Sequence, residues 1–181
     1  DSAFAAALHH VRQRGGKLVA VEADDQRLFH GQDPNRNFGR TANVASACSQ
    51  QRAAAPEFTD YVMSHFATAP RYFALHSNDN GYNGDRQGGL GTISVHRGSS
   101  VLRGVPAEIP TNERFGDGDS VVLFVGNQDF DSSPDAQATV ALINGAGMNA
   151  IYERVATAGN DCSMSNHVVL GASDKPYFNI E

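Results

Sequence analysis

The stretch Ser120-Val121-Val122-Leu123-Phe124-Val125, with Ser133-Pro134 a few residues further on, decides the fold. An apolar run of this length without alternation is the pattern of a strand covered on both faces. Ser133 and Pro134 supply an N-cap and a first-turn proline, so the next segment reads as a helix. The same order of elements recurs outward along the chain. Tyr72-Phe73-Ala74-Leu75 is predicted as a buried strand ending at His76, after a helix predicted over Pro56 to Ala67 with Phe58, Tyr61, Val62 and Phe66 at helical spacing. Leu18-Val19-Ala20-Val21 reads as another buried strand. It follows an amphipathic helix from Asp1 to Arg14, capped by Asp1 or Ser2, which places Phe4, Leu8 and Val11 on one face and stops at Gly15-Gly16. Asn166 to Leu170 and Tyr177 to Ile180 are two further strand candidates. Helices alternating with apolar strands predict an α/β fold, its mixed, largely parallel sheet flanked by helices. Ligands of such sheets sit beyond the carboxyl ends of the strands.

The chain has 181 residues, a length suited to one domain spanning 1–181 rather than to two independent ones. A composition of 40% hydrophobic and 19% charged residues is too apolar for intrinsic disorder, and no apolar run is long enough to span a membrane. The net charge of -6, with no cluster of Lys or Arg, argues against a nucleic-acid partner. Only Lys17 and Lys175 are lysines, so nearly all the positive charge is guanidinium, the group suited to bidentate capture of carboxylates. Cys48 and Cys162 are the only cysteines and lack Cys-x-x-Cys spacing; one disulfide and two buried thiols both stay open. A disulfide would favour a secreted or periplasmic setting.

Three local patterns carry chemistry. Asp33-Pro34-Asn35-Arg36-Asn37-Phe38 sets an amide beside a guanidinium in the long polar loop from Ala23 to Asn43, as needed to hold a substrate carboxylate. The same residues suit a turn in which Asn35 and Arg36 bond only backbone. Ala74-Leu75-His76-Ser77-Asn78 places an imidazole at the mouth of a buried strand, where it can face a cleft. The following loop, Ser77 to Gly91, is rich in Gly, Asn and Asp and has the length of a functional loop. Tyr177-Phe178-Asn179-Ile180-Glu181 ends an apolar run on a carboxylate fit to act as a general base; a solvated terminal Glu is its plainer reading.

Taken in order, these motifs resemble the zinc carboxypeptidase family of the carboxypeptidase A type, with its relatives of the succinylglutamate desuccinylase and aspartoacylase group. Asp33-x-Asn35-Arg36-Asn37-Phe38 is similar to the family's carboxylate-binding motif, Leu75-His76-Ser77 to the segment of its third zinc ligand, and Tyr177-x-Asn179-Ile180-Glu181 to the strand of its catalytic glutamate. The resemblance implies a zinc-carboxypeptidase-like domain in which His76 ligates zinc, Glu181 is the general base and acid, and Asn35 and Arg36 bind the substrate carboxylate. It implies that Arg27 steadies the oxyanion, and it offers Tyr82 or Tyr152 as a substrate-contacting tyrosine. The implied activity is zinc-dependent hydrolysis of a peptide or amide bond in a peptide or acylated amino acid with a free carboxylate. An N-acyl amino acid amidohydrolase and a noncatalytic carboxylate-binding module are the alternatives.

The family's first two zinc ligands come from a His-x-x-Glu motif ahead of the Asp-x-Asn-Arg stretch, and no His and Glu in this sequence have that spacing. Catalytic zinc takes three protein ligands. The expectation is therefore that the motif lies just before residue 1 and that 1–181 is the central segment of a longer metallopeptidase domain, incomplete at both ends.

Overall fold

The computed structural model describes residues 2–21, 33–38, 56–76, 93–96, 99–107, 118, 120–171 and 175–181. These residues contain helices α1 (Ser2–Arg14), α2 (Pro56–Ser64), α3 (Pro134–Gly145) and α4 (Met164–Leu170). Their strands are β1 (Tyr72–Leu75), β2 (Leu102–Val105), β3 (Val121–Gly126), β4 (Asn149–Arg154) and β5 (Tyr177–Ile180). The chain divides into two compact units, Asp1–Tyr72 with Val155–Lys175 and Phe73–Arg154 with Pro176–Glu181. No helix among the described residues is long and apolar enough to cross a membrane.

The second unit is built on a five-stranded mixed sheet of order β1-β5-β3-β4-β2. Its centre is β3, whose side chains alternate between two apolar layers. Val122 and Phe124 join Ala150 and Tyr152 of β4 and meet Ala136, Val140 and Ile143 of α3. Val121 and Leu123 join Ile151 on the opposite face, against Ile93, Val95 and Leu102. Burial on both faces explains why the run is apolar throughout. The Ser133 hydroxyl accepts the Ala136 N–H at 3.3 Å, and α3 starts as the Ser-Pro pair predicts. It then leads into β4, which lies parallel to β3 with Leu123 opposite Ile151, the arrangement a helical crossover permits.

The parallel share of the sheet is smaller than predicted. β3 and β4 are parallel, whereas β2 runs antiparallel to β4 and β5 antiparallel to β3. Neither β2 nor β4 was predicted. β2 is interrupted by Arg103 and Gly104, and β4 carries only Ala150-Ile151-Tyr152 between polar residues. Each is a strand because its neighbours supply hydrogen-bond partners, a tertiary condition that local propensity does not contain.

In the first unit α1 occupies the predicted span, and Gly15 and Gly16 end it with φ of 76° and 107°. Ala7 is its buried residue, while Leu8 and Val11 are half-buried and Phe4 is exposed. The predicted strand at Leu18–Val21 does not form. These residues are irregular, Val21 is 43% exposed, and the run has no place in the sheet order. Four apolar residues become a strand only where another strand pairs with them. The helix predicted to Ala67 ends at Ser64 and continues as a turn.

Asn166–Leu170, predicted as a strand, is helical. The Ser163 hydroxyl accepts the Asn166 N–H and caps α4, which overrides the strand preference of Val168 and Val169. Cys162 is fully buried and disulfide-bonded, with a φ of 62°. Cys48, the chain's only other cysteine, lies outside the described residues. The Asn160 side-chain oxygen accepts the Cys162 N–H at 2.9 Å, and the Cys162 carbonyl accepts the Phe38 N–H at 2.9 Å. These two bonds fix a backbone conformation that residues with a Cβ rarely adopt.

Two stability predictions follow from the packing. Asn149, 2% exposed, accepts the Ala107 N–H at 2.9 Å and donates to the Ser120 carbonyl at 3.1 Å. Asn149→Leu removes both bonds and lowers unfolding free energy by about 3 kcal/mol in urea titrations. Burial lowers the His167 pKa below the ordinary 6.5 and outweighs the opposing charge of Asp60. The fold thus favours the neutral ring: its contribution is complete above pH 6.5 and declines as pH falls through the lower folded value. Stability measured across that range in His167→Phe lacks this acid-side decline.

Candidate functional site

In the second unit, the sheet brings His76 and Glu181 together from the ends of adjacent strands. The His76 N–H donates to the Ile180 carbonyl at 2.9 Å, and the Glu181 N–H donates to the Val121 carbonyl at 3.1 Å. Both backbones are thereby fixed to the sheet just past β1 and β5. His76 Nδ1 lies 3.7 Å from Glu181 Oε1, with side-chain exposures of 35% and 5%. The imidazole is open to solvent on one side while the carboxylate is almost wholly enclosed. At 3.7 Å the two form an ion pair when the ring is protonated, but not a direct hydrogen bond.

Strand alternation supplies the surroundings of Glu181. Asn179 lies opposite Leu123 and Phe178 opposite Phe124, so neighbouring β5 residues face different layers. Phe178 packs with Phe124 and Phe73 against the layer covered by α3. Tyr177, Asn179 and Glu181 alternate onto the other face. The Asn179 amide donates to Glu181 Oε1. Its own oxygen is buried and has no hydrogen-bond partner among the described residues. Burial raises the Tyr177 pKa well above the ordinary tyrosine range, and the negative charges of Glu181 and Glu153 add to the effect. The phenol is therefore a neutral group beside the carboxylate.

In the first unit, Pro34–Arg36 forms a single 3-10 turn. Asp33 begins it, accepting the Asn35 N–H on its side chain at 2.9 Å and the Arg36 N–H on its carbonyl at 3.0 Å. Asn35 Oδ1 accepts the Met164 N–H at 3.0 Å. The Arg36 guanidinium donates through Nη1 to the Asn35 carbonyl at 2.8 Å, and its Nε lies 3.4 Å from Asp161 Oδ2. Asn37 and Phe38 are buried; the Asn37 carbonyl accepts the Thr59 hydroxyl, and Phe38 meets Phe58 edge-on. Asn35 has the backbone-bonding role of an ordinary turn. Arg36 differs, because it holds a carboxylate belonging to the protein.

The sequence therefore located two pairs, His76 with Glu181 and Asn35 with Arg36, each brought together within its own unit. Arg27 and Tyr82 lie outside the described residues. The hydroxyl of Tyr152 donates to the Gln128 carbonyl at 2.6 Å and is committed to that structural bond. Sequence reading missed Asn179 and Asp161. Alternation from Glu181 places Asn179 on the same face of β5, a signal present in the sequence; Asp161 reaches Arg36 from more than a hundred positions away and leaves no local signal.

Among the described residues no group of three His, Cys, Asp or Glu side chains could hold a metal ion. An imidazole is a residue type that can ligate zinc, but the described residues alone do not complete the three-ligand set of a catalytic zinc site. The chain matches no protein-family model, no curated protein and no solved structure.

The turn geometry separates the two members of its pair by energetic role. Asn35→Ala deprives the Met164 N–H of its acceptor and costs about 1 kcal/mol in urea unfolding. Arg36→Gln breaks a half-exposed ion pair and costs under about 0.5 kcal/mol. An equal or larger loss in Arg36→Gln would mark Arg36 as a structural residue.

Proposed function

We propose that this protein is a zinc-dependent hydrolase of the metallocarboxypeptidase kind, cleaving a peptide or amide bond next to a substrate carboxylate. The observation that carries the reading is the His76–Glu181 pair: an imidazole at a strand mouth and an enclosed carboxylate, 3.7 Å apart, at the positions where the motifs resemble the family's zinc ligand and general base. Zinc in this reading takes His76 as one ligand and needs others beyond the described residues. The roles derived below therefore belong to the chain's own side chains.

Glu181 is the proton carrier. Its carboxylate is shielded from bulk water, held on one oxygen by the Asn179 amide, and placed beside a partly exposed imidazole. It accepts a proton from the attacking water and returns it to the departing amine, the two transfers a single carboxylate performs in amide hydrolysis. The neutral Tyr177 phenol adds no competing negative charge. Arg36, with a partly exposed guanidinium in the first unit, is proposed from the motif alone as the carboxylate-binding residue, and Asn35 holds the turn that carries it. Arg27 is proposed as the oxyanion partner. The disulfide at Cys162 supports an oxidising, secreted or periplasmic setting.

A noncatalytic carboxylate-binding module is the second reading, favoured by the incomplete metal-ligand set among the described residues. It predicts zinc-independent ligand binding that survives His76→Ala. The hydrolase reading predicts that the full-length protein releases the residue bearing the free carboxylate from N-acyl dipeptides and that a strong chelator abolishes this activity. Glu181→Gln should lower kcat by at least about 100-fold. Chelator-resistant hydrolysis, or full activity in Glu181→Gln, overturns the mechanism.

A further inference from the structure

We propose that Asp161 is a positioning residue that orients Arg36 for capture of a ligand carboxylate. This inference rests on the reading of Arg36 as the carboxylate-binding residue and adds to it what aims the guanidinium. Both groups belong to the first unit, and their side chains are 40% and 45% exposed, accessible to a ligand yet held at both ends.

Asp161 is anchored before it meets Arg36. Its Oδ1 accepts the Ser163 N–H at 3.0 Å, which leaves Oδ2 to face Arg36 Nε at 3.4 Å. The Nη1 group is tied to the Asn35 carbonyl at 2.8 Å. The guanidinium is hydrogen-bonded through Nη1 and faces a carboxylate at Nε, which restrains its orientation, and among the described residues nothing accepts from Nη2. One of its five N–H donors is thus hydrogen-bonded and a second lies in the ion-pair contact; among the described residues the outer edge is open to a planar anion.

The backbone around Asp161 is fixed more heavily than an ordinary surface loop. Cys162, the next residue, is fully buried, disulfide-bonded and held at a φ of 62°. Its carbonyl accepts the Phe38 N–H, while Met164 donates to Asn35 from the other side of the ion pair. Segment 160–164 and turn 33–38 are therefore joined by two hydrogen bonds flanking the Arg36–Asp161 contact. A solvated ion pair contributes little to stability, so so much fixation around one has a better explanation in orientation. Local strain held by surrounding contacts is characteristic of binding sites.

The test uses the full-length protein and two probes, N-benzoylglycyl-phenylalanine and its C-terminal carboxamide, with binding measured by titration calorimetry. Wild type should prefer the acid. Asp161→Asn keeps the acceptor for the Ser163 N–H and so retains the turn; it should weaken binding of the acid about fivefold and leave the carboxamide unchanged. Arg36→Gln should abolish the preference. Asp161→Ala, with circular dichroism as a check on folding, should match Asp161→Asn. If the preference disappears in Arg36→Gln but is unchanged or increased in Asp161→Asn, Asp161 does not position Arg36 and this inference fails alone. If wild type binds acid and carboxamide equally, or Arg36→Gln keeps the preference, the reading of Arg36 fails and takes the inference with it.

Discussion

The second unit depends on the two-sided burial of β3. Its four buried residues, Val121 to Phe124, supply apolar surface to both layers while its backbone pairs with β4 on one side and β5 on the other. No polar side chain interrupts this strand, and its position fixes the others. α3 packs on one layer, the segment containing Ile93 and Val95 on the other, and β5 takes its register from Leu123 and Phe124. The Glu181 N–H then bonds to Val121 at the strand's first residue. The candidate carboxylate is therefore positioned from a strand buried on both faces, where local opening is infrequent.

Polar groups near the sheet divide into those that build and those that wait. Asn149 uses both ends of its amide to join backbone from two other segments, as buried amides in stable cores do. Asn179 uses one end on Glu181 and has no partner for the other among the described residues. An enclosed unpaired acceptor disfavours folding. Its retention beside a carboxylate is consistent with a local environment shaped around that carboxylate rather than around packing alone. The first unit presents a similar division: Asn35 is absorbed into the turn, and among the described residues Arg36 keeps donors to spare.

Much of this was legible in the sequence wherever one segment dictates its own environment. The apolar run of β3, the Ser-Pro start of α3, the Gly-Gly end of α1 and the boundaries of β1 and β5 are local signals, and the structure agrees with them. The misreadings share a cause. Leu18–Val21 had strand composition without a pairing partner, β4 and β2 had partners without strand composition, and α4 had β-branched residues under a serine cap. Strand formation is a property of a pair, which one stretch of sequence cannot express. The places of His76 and Glu181 at strand ends were legible because each closes its own strand, while the contact of Asp161 with Arg36 is visible only in the structure.

The strand order has a consequence for how the chain matures. β5 lies between β1 and β3, yet it comes last of the five strands in the sequence. Until it is made and inserted, β1 and β3 each lack a neighbour and present an open edge of unpaired amides and carbonyls, the kind of surface that recruits other chains. The insertion that closes this gap also carries Glu181 to His76. The nascent second unit thus passes through a stage with open strand edges, and the pairing that closes them also sets Glu181 beside His76.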